Sequence, residues 1–271
     1  MSQTPPVANA PQLEGQMFLF RQPELLTKEK HGAMGISRPD RPFAFAESVR
    51  AVPLTISEVA SAMRSFPIIF SGVENPQPLA VVGLIDEQNL FVRDDGEWEE
   101  GVYVPGYLRR YPFALATDKQ SDPNNPRMAI IVDAGYEGLR NGGDLTFFDG
   151  GEPSTAMKQA LEYCQQYERD RLMTQQFGAK LAQYDLLVEQ LAQFTPDGGT
   201  EARPFARYTG VEEKRLTELS NDKFLELRDS NILPILYAQM MSMGNWRALM
   251  DRRARRYNLT GAQVLEPRRV S

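Results

Sequence analysis

The hydrophobic period of this chain changes once, near Ser154, and that change limits the fold more than any other feature. Upstream, the apolar runs have strand length: Val49-Arg-Ala-Val-Pro-Leu54, Pro67-Ile-Ile-Phe70, Leu79-Ala-Val-Val-Gly-Leu-Ile85 and Met128-Ala-Ile-Ile-Val132. Phe43-Ala-Phe-Ala46 also alternates as a short strand does, and Leu90–Arg93 and Leu145–Phe148 read as further strands. Turn formers separate them, at Asp86-Glu-Gln-Asn89, Asp94-Asp-Gly96 and Ser121-Asp-Pro-Asn-Asn-Pro126. One short helix interrupts the strands: Thr55 or Ser57 caps Glu58–Arg64, with Val59, Ala62 and Met63 on one face.

Downstream, Met157, Ala160, Leu161, Cys164 and Tyr167 recur at helical spacing, and Phe177, Leu181, Tyr184, Val188 and Leu191 continue the stripe. The pattern predicts one helix of about 40 residues, or two broken near Gly178, ending at Thr195-Pro-Asp-Gly-Gly199. A strand is expected over Ala206–Gly210, helices over Asp222–Arg228 and Leu233–Leu249, and nothing definite over Val211–Leu219. The resulting fold class is α+β, with a mixed or antiparallel sheet from the N-terminal half packed against the long helix and a C-terminal helix. Residues 1–16 read as a disordered tail, 17–250 as one domain (sheet-rich to 150, helix-rich after), and 251–271 as a basic tail.

Residue scarcity then restricts the chemistry. A single cysteine, Cys164, and a single histidine, His31, allow neither an internal disulfide nor a Cys/His zinc cage, although carboxylate-only Mg²⁺ or Ca²⁺ sites survive this test. Cys164 lies on the helical stripe and reads as a core thiol. Gly142-Gly143 and Gly150-Gly151 match no dinucleotide or phosphate loop, so no cofactor is indicated. The N-terminus lacks a basic, then apolar, export signal and no apolar run reaches about 20 residues, which predicts a cytoplasmic protein without a transmembrane segment. Charge is unevenly placed. Residues 246–271 hold seven Arg against Asp251 and Glu266, a local +5, so residues 1–245 carry −11 of the net −6. Arg252, Arg253, Arg255 and Arg256 form a basic cluster suited to an anionic partner, or simply a solvated helix end; the acidic remainder argues against nucleic acid.

Tyr103–Phe113 is the strongest binding candidate. Pro105 and Pro112 exclude a continuous helix and leave one turn, Gly106–Arg110, between extended arms. Such a turn sets Arg109 and Arg110 about 100° apart, so at most one faces the core. The other, beside Tyr103, Tyr107 and Tyr111, could hold a carboxylate or phosphate by paired hydrogen bonds. His31, in the Gly-flanked loop His31-Gly-Ala-Met-Gly35, is the one conventional acid/base position, with Asp133 or Glu137 as carboxylate partners by residue type. Packing is the alternative role for it. Trp98, Asn245 and Trp246 follow polar turns and read as interface anchors, and Met241 as the exposed methionine of its helix.

Three stretches carry a family resemblance. Lys28-Glu-Lys-His-Gly-Ala-Met-Gly-Ile36 with Ser65-Phe-Pro-Ile-Ile-Phe70, Val102-Tyr-Val-Pro-Gly-Tyr-Leu-Arg-Arg-Tyr-Pro-Phe113, and Phe224-Leu-Glu-Leu-Arg228 with Leu233–Asn245 resemble, in order, the bacterial SapC family over about residues 17–250. The chain departs from it at Asp133-Ala-Gly-Tyr-Glu137, where relatives often carry a cysteine, and in its arginine-rich end. The resemblance implies no reaction. It associates the family with a surface layer and with genes for flavin-dependent tryptophan halogenases, cupin-like oxygenases and TonB-dependent receptors. Taken together, the residues predict a non-enzymatic binding or assembly protein that meets a protein partner, or a second copy, through the Tyr/Arg/Pro loop and C-terminal helix. The alternatives are an enzyme or accessory to a halogenase- or oxygenase-like partner, using His31 and Arg109, and a surface-layer structural protein.

Overall fold

The computed structural model describes residues 17–84, 88–117, 128–195 and 198–267. In chain order the elements are β1 (Pro23–Leu25), α1 (Lys28–His31), β2 (Met34–Ile36), β3 (Ala51–Pro53), α2 (Val59–Ala62), β4 (Ile68–Phe70) and β5 (Pro78–Val81). Then follow α3 (Gly106–Arg109), β6 (Phe113–Thr117), β7 (Met128–Asp133), β8 (Leu139–Asn141), β9 (Leu145–Thr146), β10 (Phe148–Asp149) and β11 (Glu152–Pro153). The long helix α4 (Thr155–Gln183) precedes β12 (Leu187–Phe194), β13 (Arg203–Val211), α5 (Glu213–Thr217), α6 (Asn221–Asp229), α7 (Leu233–Ser242) and α8 (Asn245–Tyr257). The fold is α+β, and every strand pair is antiparallel.

Two compact units interleave along the chain instead of following its sheet-rich and helix-rich halves. One comprises residues 1–39 and 110–166, the other 40–109 and 167–271. The first holds the sheets β1-β7-β6 and β8-β2-β9 and the hairpin β10-β11. Its apolar centre joins Phe113, Val132, Phe147, Met157 and Cys164. The second holds a five-stranded sheet in the order β12-β13-β4-β5-β3. There Phe177 and Leu181 of α4 pack with Phe70 of β4, Leu187 of β12, Val211 of β13 and Leu236 of α7. Two of these strands come from the C-terminal half, so the sheet is not confined to the N-terminal half as the apolar runs suggest.

Local chemistry explains where elements stop. Thr55 caps the first turn through a reciprocal box with Glu58, as expected; a short 3₁₀ turn, Ile56–Glu58, leads into α2. Phe43-Ala-Phe-Ala46 is a 3₁₀ turn over Ala44–Ala46 rather than a strand, closed by Ala46 and Glu47 N–H groups onto Phe43 and Ala44 carbonyls. Near Leu90–Arg93 only a bridge forms, Val92 to Trp98, around Gly96 at φ 78°. Helix α4 is unbroken at Gly178 but ends at Gln183, and Asp185 at φ 52° turns the chain. Val188 and Leu191 therefore lie in β12, with Leu191 49% exposed, and do not continue the helical stripe. The C-terminal helix is two helices, α7 and α8, separated at Met243-Gly244. Its second half absorbs the arginine cluster that looked like a tail, ending at Asn258 in the left-handed region. The 1–16 tail, the Ser121–Pro126 loop and parts of the Asp86–Asn89 and Thr195–Gly199 turns lie outside the described residues.

Candidate functional site

His31 closes its own short helix. Its Nδ1 lies 3.2 Å from the Thr27 N–H, the Thr27 Oγ1 accepts from Lys30 N–H, and the ring is 1% exposed, with Nε2 3.7 Å from Glu24. A catalytic His31 required an accessible ring; burial removes that access, and packing and local hydrogen bonding account for the residue.

The tyrosine-rich segment has anchors in each unit. In the second unit the buried Glu58 accepts from the Tyr103 hydroxyl (2.9 Å), from Thr55 N–H and hydroxyl (both 2.8 Å) and from Gly106 N–H. Arg109 is exposed and donates to the Tyr103 hydroxyl at 2.9 Å while lying over its ring; Tyr107 meets Tyr167 edge-on. In the first unit Arg110 is buried over the Phe20 ring and Tyr111 donates to Asp133 at 2.8 Å. Arg110 is the interior one of the two arginines and Arg109 the exposed one, within the expectation that at most one faces the core. The carboxylate that organises the turn is Glu58, which no spacing argument singled out.

Asp133 is fully buried. Burial pushes its carboxyl up, but the N–H groups of Arg21 and Gln22, the Tyr111 hydroxyl and the Gly135 N–H outweigh that and hold it below the usual carboxylate range. It is a backbone-organising anion rather than a partner for His31, which meets Glu24.

Both tryptophans turn inward. Trp98 is 7% exposed among Phe43, Phe66 and Phe91, which corrects its reading as an interface anchor: a bulky ring after a tight turn folds back onto its own aromatic cluster. Trp246 is half-buried against Phe205 and Tyr208. Asn245 ties the start of α8 down, donating to the carbonyls of Met63 (2.7 Å) and Phe66 (3.0 Å). Met241 is 68% exposed, as its position predicts.

The arginines of α8 form the most chemically distinctive surface. A concavity of about 450 Å³ is lined by Arg93, Asp94, Glu99, Arg252, Arg255 and Arg256, and a second of about 320 Å³ shares Arg252 and Arg255 and adds Arg64 and Asn245. Four cations of the helix are committed, Arg247 to Asp251 among them. Arg252 pairs with Glu99 at 3.0 Å over the Phe91 ring. Arg256 pairs with Asp94 at 3.0 Å and donates to the Val92 carbonyl at 2.7 Å. Arg253, 1% exposed, donates to the Glu266 carbonyl at 2.9 Å. Asp251 answers Arg247 and Asp95 answers Arg93. Arg255 and Arg64, both exposed, have no ion pair or hydrogen bond among the described residues. Arg255 belonged to the cluster visible in the sequence. Arg64 did not, because only the packing of α8 beside the Met63-Arg64-Ser65 turn brings it there.

The SapC family pattern matches residues 26–249, most of the chain. The chain belongs to the SapC family. No curated protein and no solved structure matches it. Among the described residues of this SapC protein, no helix is long and apolar enough to cross a membrane and no cluster of His, Cys, Asp or Glu could hold a metal ion. The family match stops inside α8, at 249, so the arginines from Arg252 onward lie beyond the matched segment.

Proposed function

We propose that this SapC protein is a non-enzymatic binding protein that docks an acidic protein partner on the arginine face of α8. The observation that carries it is the pair of adjoining concavities in which Arg64 and Arg255 stand without a counter-charge while their neighbours are held in place. Uncompensated cations beside a recess whose other charges are held in pairs give an attractive field at a defined place, whereas a uniformly solvated helix end gives none. The rest of the chain carries −11, so the face is a local reversal of sign that repels basic surfaces and admits acidic ones. Glu58 holds Tyr103 and Gly106 of the Tyr/Arg/Pro segment, and the proposed contact lies on α8 instead of that segment. The burial of His31 supports this reading over the enzymatic alternative. Biolayer interferometry against immobilised poly-L-glutamate tests the reading. Binding at 50 mM salt that weakens at least tenfold at 300 mM, and again in Arg255→Glu, is the expected result. No binding by the wild type, or equal binding by Arg255→Glu, overturns it.

A further inference from the structure

The smaller concavity differs from the larger one in its walls. Val102 and the exposed Ala248 line it together with Arg64 and Arg255, over a floor of Phe91 and Leu249. Phe91 and Leu249 are 3% and 2% exposed, so their atoms are framework, not mobile surface. The remaining charges on its rim are already answered: Arg252 by Glu99 and Asp251 by Arg247. What is left is two guanidinium groups and an apolar wall in about 320 Å³. Inorganic phosphate or another small hydrated anion would satisfy the arginines but leave the apolar wall wetted. A purely acidic stretch has the same defect. The larger concavity shares Arg252 and Arg255 with this one, so an extended chain leaving the smaller recess enters a second polar-walled recess.

We propose, resting on the acidic-partner reading above, that the recess between Arg64 and Arg255 seats a two-residue peptide motif, an acidic residue followed by an aromatic or large aliphatic one. The carboxylate takes paired hydrogen bonds from the two guanidinium groups, the geometry for which arginine is best suited. The apolar side chain covers Val102 and Ala248. The peptide continues past Arg255 along the larger concavity.

Arginine-selective dicarbonyl labelling with peptide mapping reads this seat directly. Uncommitted Arg64 and Arg255 should label faster than Arg252 and Arg256. Acetyl-Glu-Phe-amide should slow labelling of Arg64 and Arg255 at least threefold. Acetyl-Gln-Phe-amide, acetyl-Glu-Ala-amide, inorganic phosphate and 3-phenylpropionate at the same concentration should do so much less. Arg64→Ala should abolish the protection of Arg255, and a thermal melt within about 2 °C of wild type certifies that the variant is folded. Equal protection by phosphate reduces the seat to a general anion site, and equal protection by 3-phenylpropionate makes the ligand a small acid; either result overturns the motif. Loss of protection by acetyl-Glu-Phe-amide with poly-L-glutamate binding intact overturns this inference alone. Loss of both overturns the docking face as well.

Discussion

Replacing Asp133 by Asn isolates the value of one buried carboxylate. Oδ1 accepts from Gln22 N–H at 2.8 Å and Gly135 N–H at 3.0 Å; Oδ2 accepts from Arg21 N–H at 2.9 Å and the Tyr111 hydroxyl at 2.8 Å. An amide keeps one carbonyl for one pair of donors and aims its own NH₂ at the other pair. The Tyr111 hydroxyl can turn to accept, but a backbone N–H cannot, so one buried donor is orphaned at about 1–3 kcal/mol. The bonds that survive lose their charge assistance, which roughly halves them. Together the cost is about 3 kcal/mol, or about 6–10 °C in melting temperature for a chain of this size. Differential scanning calorimetry at pH 7 checks it. The pH dependence adds a sign. The folded pKa lies below the unfolded value of about 3.9, so the carboxylate's contribution is complete above that value and is lost as pH falls through the folded pKa. The gap between wild type and Asp133→Asn should be constant from pH 7 to 5 and close below pH 4. A shift under 2 °C at pH 7, or a gap that widens in acid, refutes the reasoning.

Gly178→Ala should destabilise the protein by about 1–3 kcal/mol despite removing a glycine from a helix interior, because the new Cβ would stand 2.3 Å from the Pro76 carbonyl oxygen; a higher melting temperature would contradict this. Leu181→Ala, at a fully buried position of the second unit's core, should cost about 2–5 kcal/mol, read as a lower urea midpoint at unchanged slope. Burial pushes the Cys164 thiol up to about 11, only partly offset by Arg110, so Ellman's reagent at pH 8 should find no reactive thiol in the native protein and one after unfolding in guanidinium.

Periodicity revealed α4 and its buried face, since Met157, Cys164, Phe177 and Leu181 are all interior. It failed beyond Gln183 because Tyr184, Val188 and Leu191 keep helical spacing after the backbone has left the helix; in β12, Val188 and Leu191, three apart, fall on opposite faces. The decision belonged to Asp185, whose left-handed backbone a polar residue accepts. Between α7 and α8 the backbone of Met243 and Gly244 stays right-handed helical and only the hydrogen-bond ladder changes, the N–H groups of Met243, Gly244 and Trp246 bonding three residues back, so the apolar spacing of the sequence runs across the break unmarked. At the candidate site, Arg252, Arg255 and Arg256 were legible as a run in one helix. Arg64, Arg93 and Glu99 were not, because they arrive from turns far away in sequence, and no local spacing records which residues a tertiary fold will set beside a helix. The Tyr/Arg/Pro loop was legible as irregular, but its organiser, Glu58, resembled an ordinary first-turn carboxylate until Tyr103 and Gly106 were seen to donate to it.

The interleaving of the two units governs how the chain can be made and cut. On a ribosome, the first unit's opening segment waits, with β7, the partner of β1, unsynthesised, while residues 40–109 emerge. The second unit in turn lacks β13, the strand that joins β12 to β4, until residue 211 has been made. Neither unit can be liberated by a single truncation, and an isolating fragment would need two segments joined by an artificial linker. Deletion mapping, the usual route to a binding region, would therefore damage both units at once, so point substitutions on the surface of α8 are the appropriate instrument for this protein.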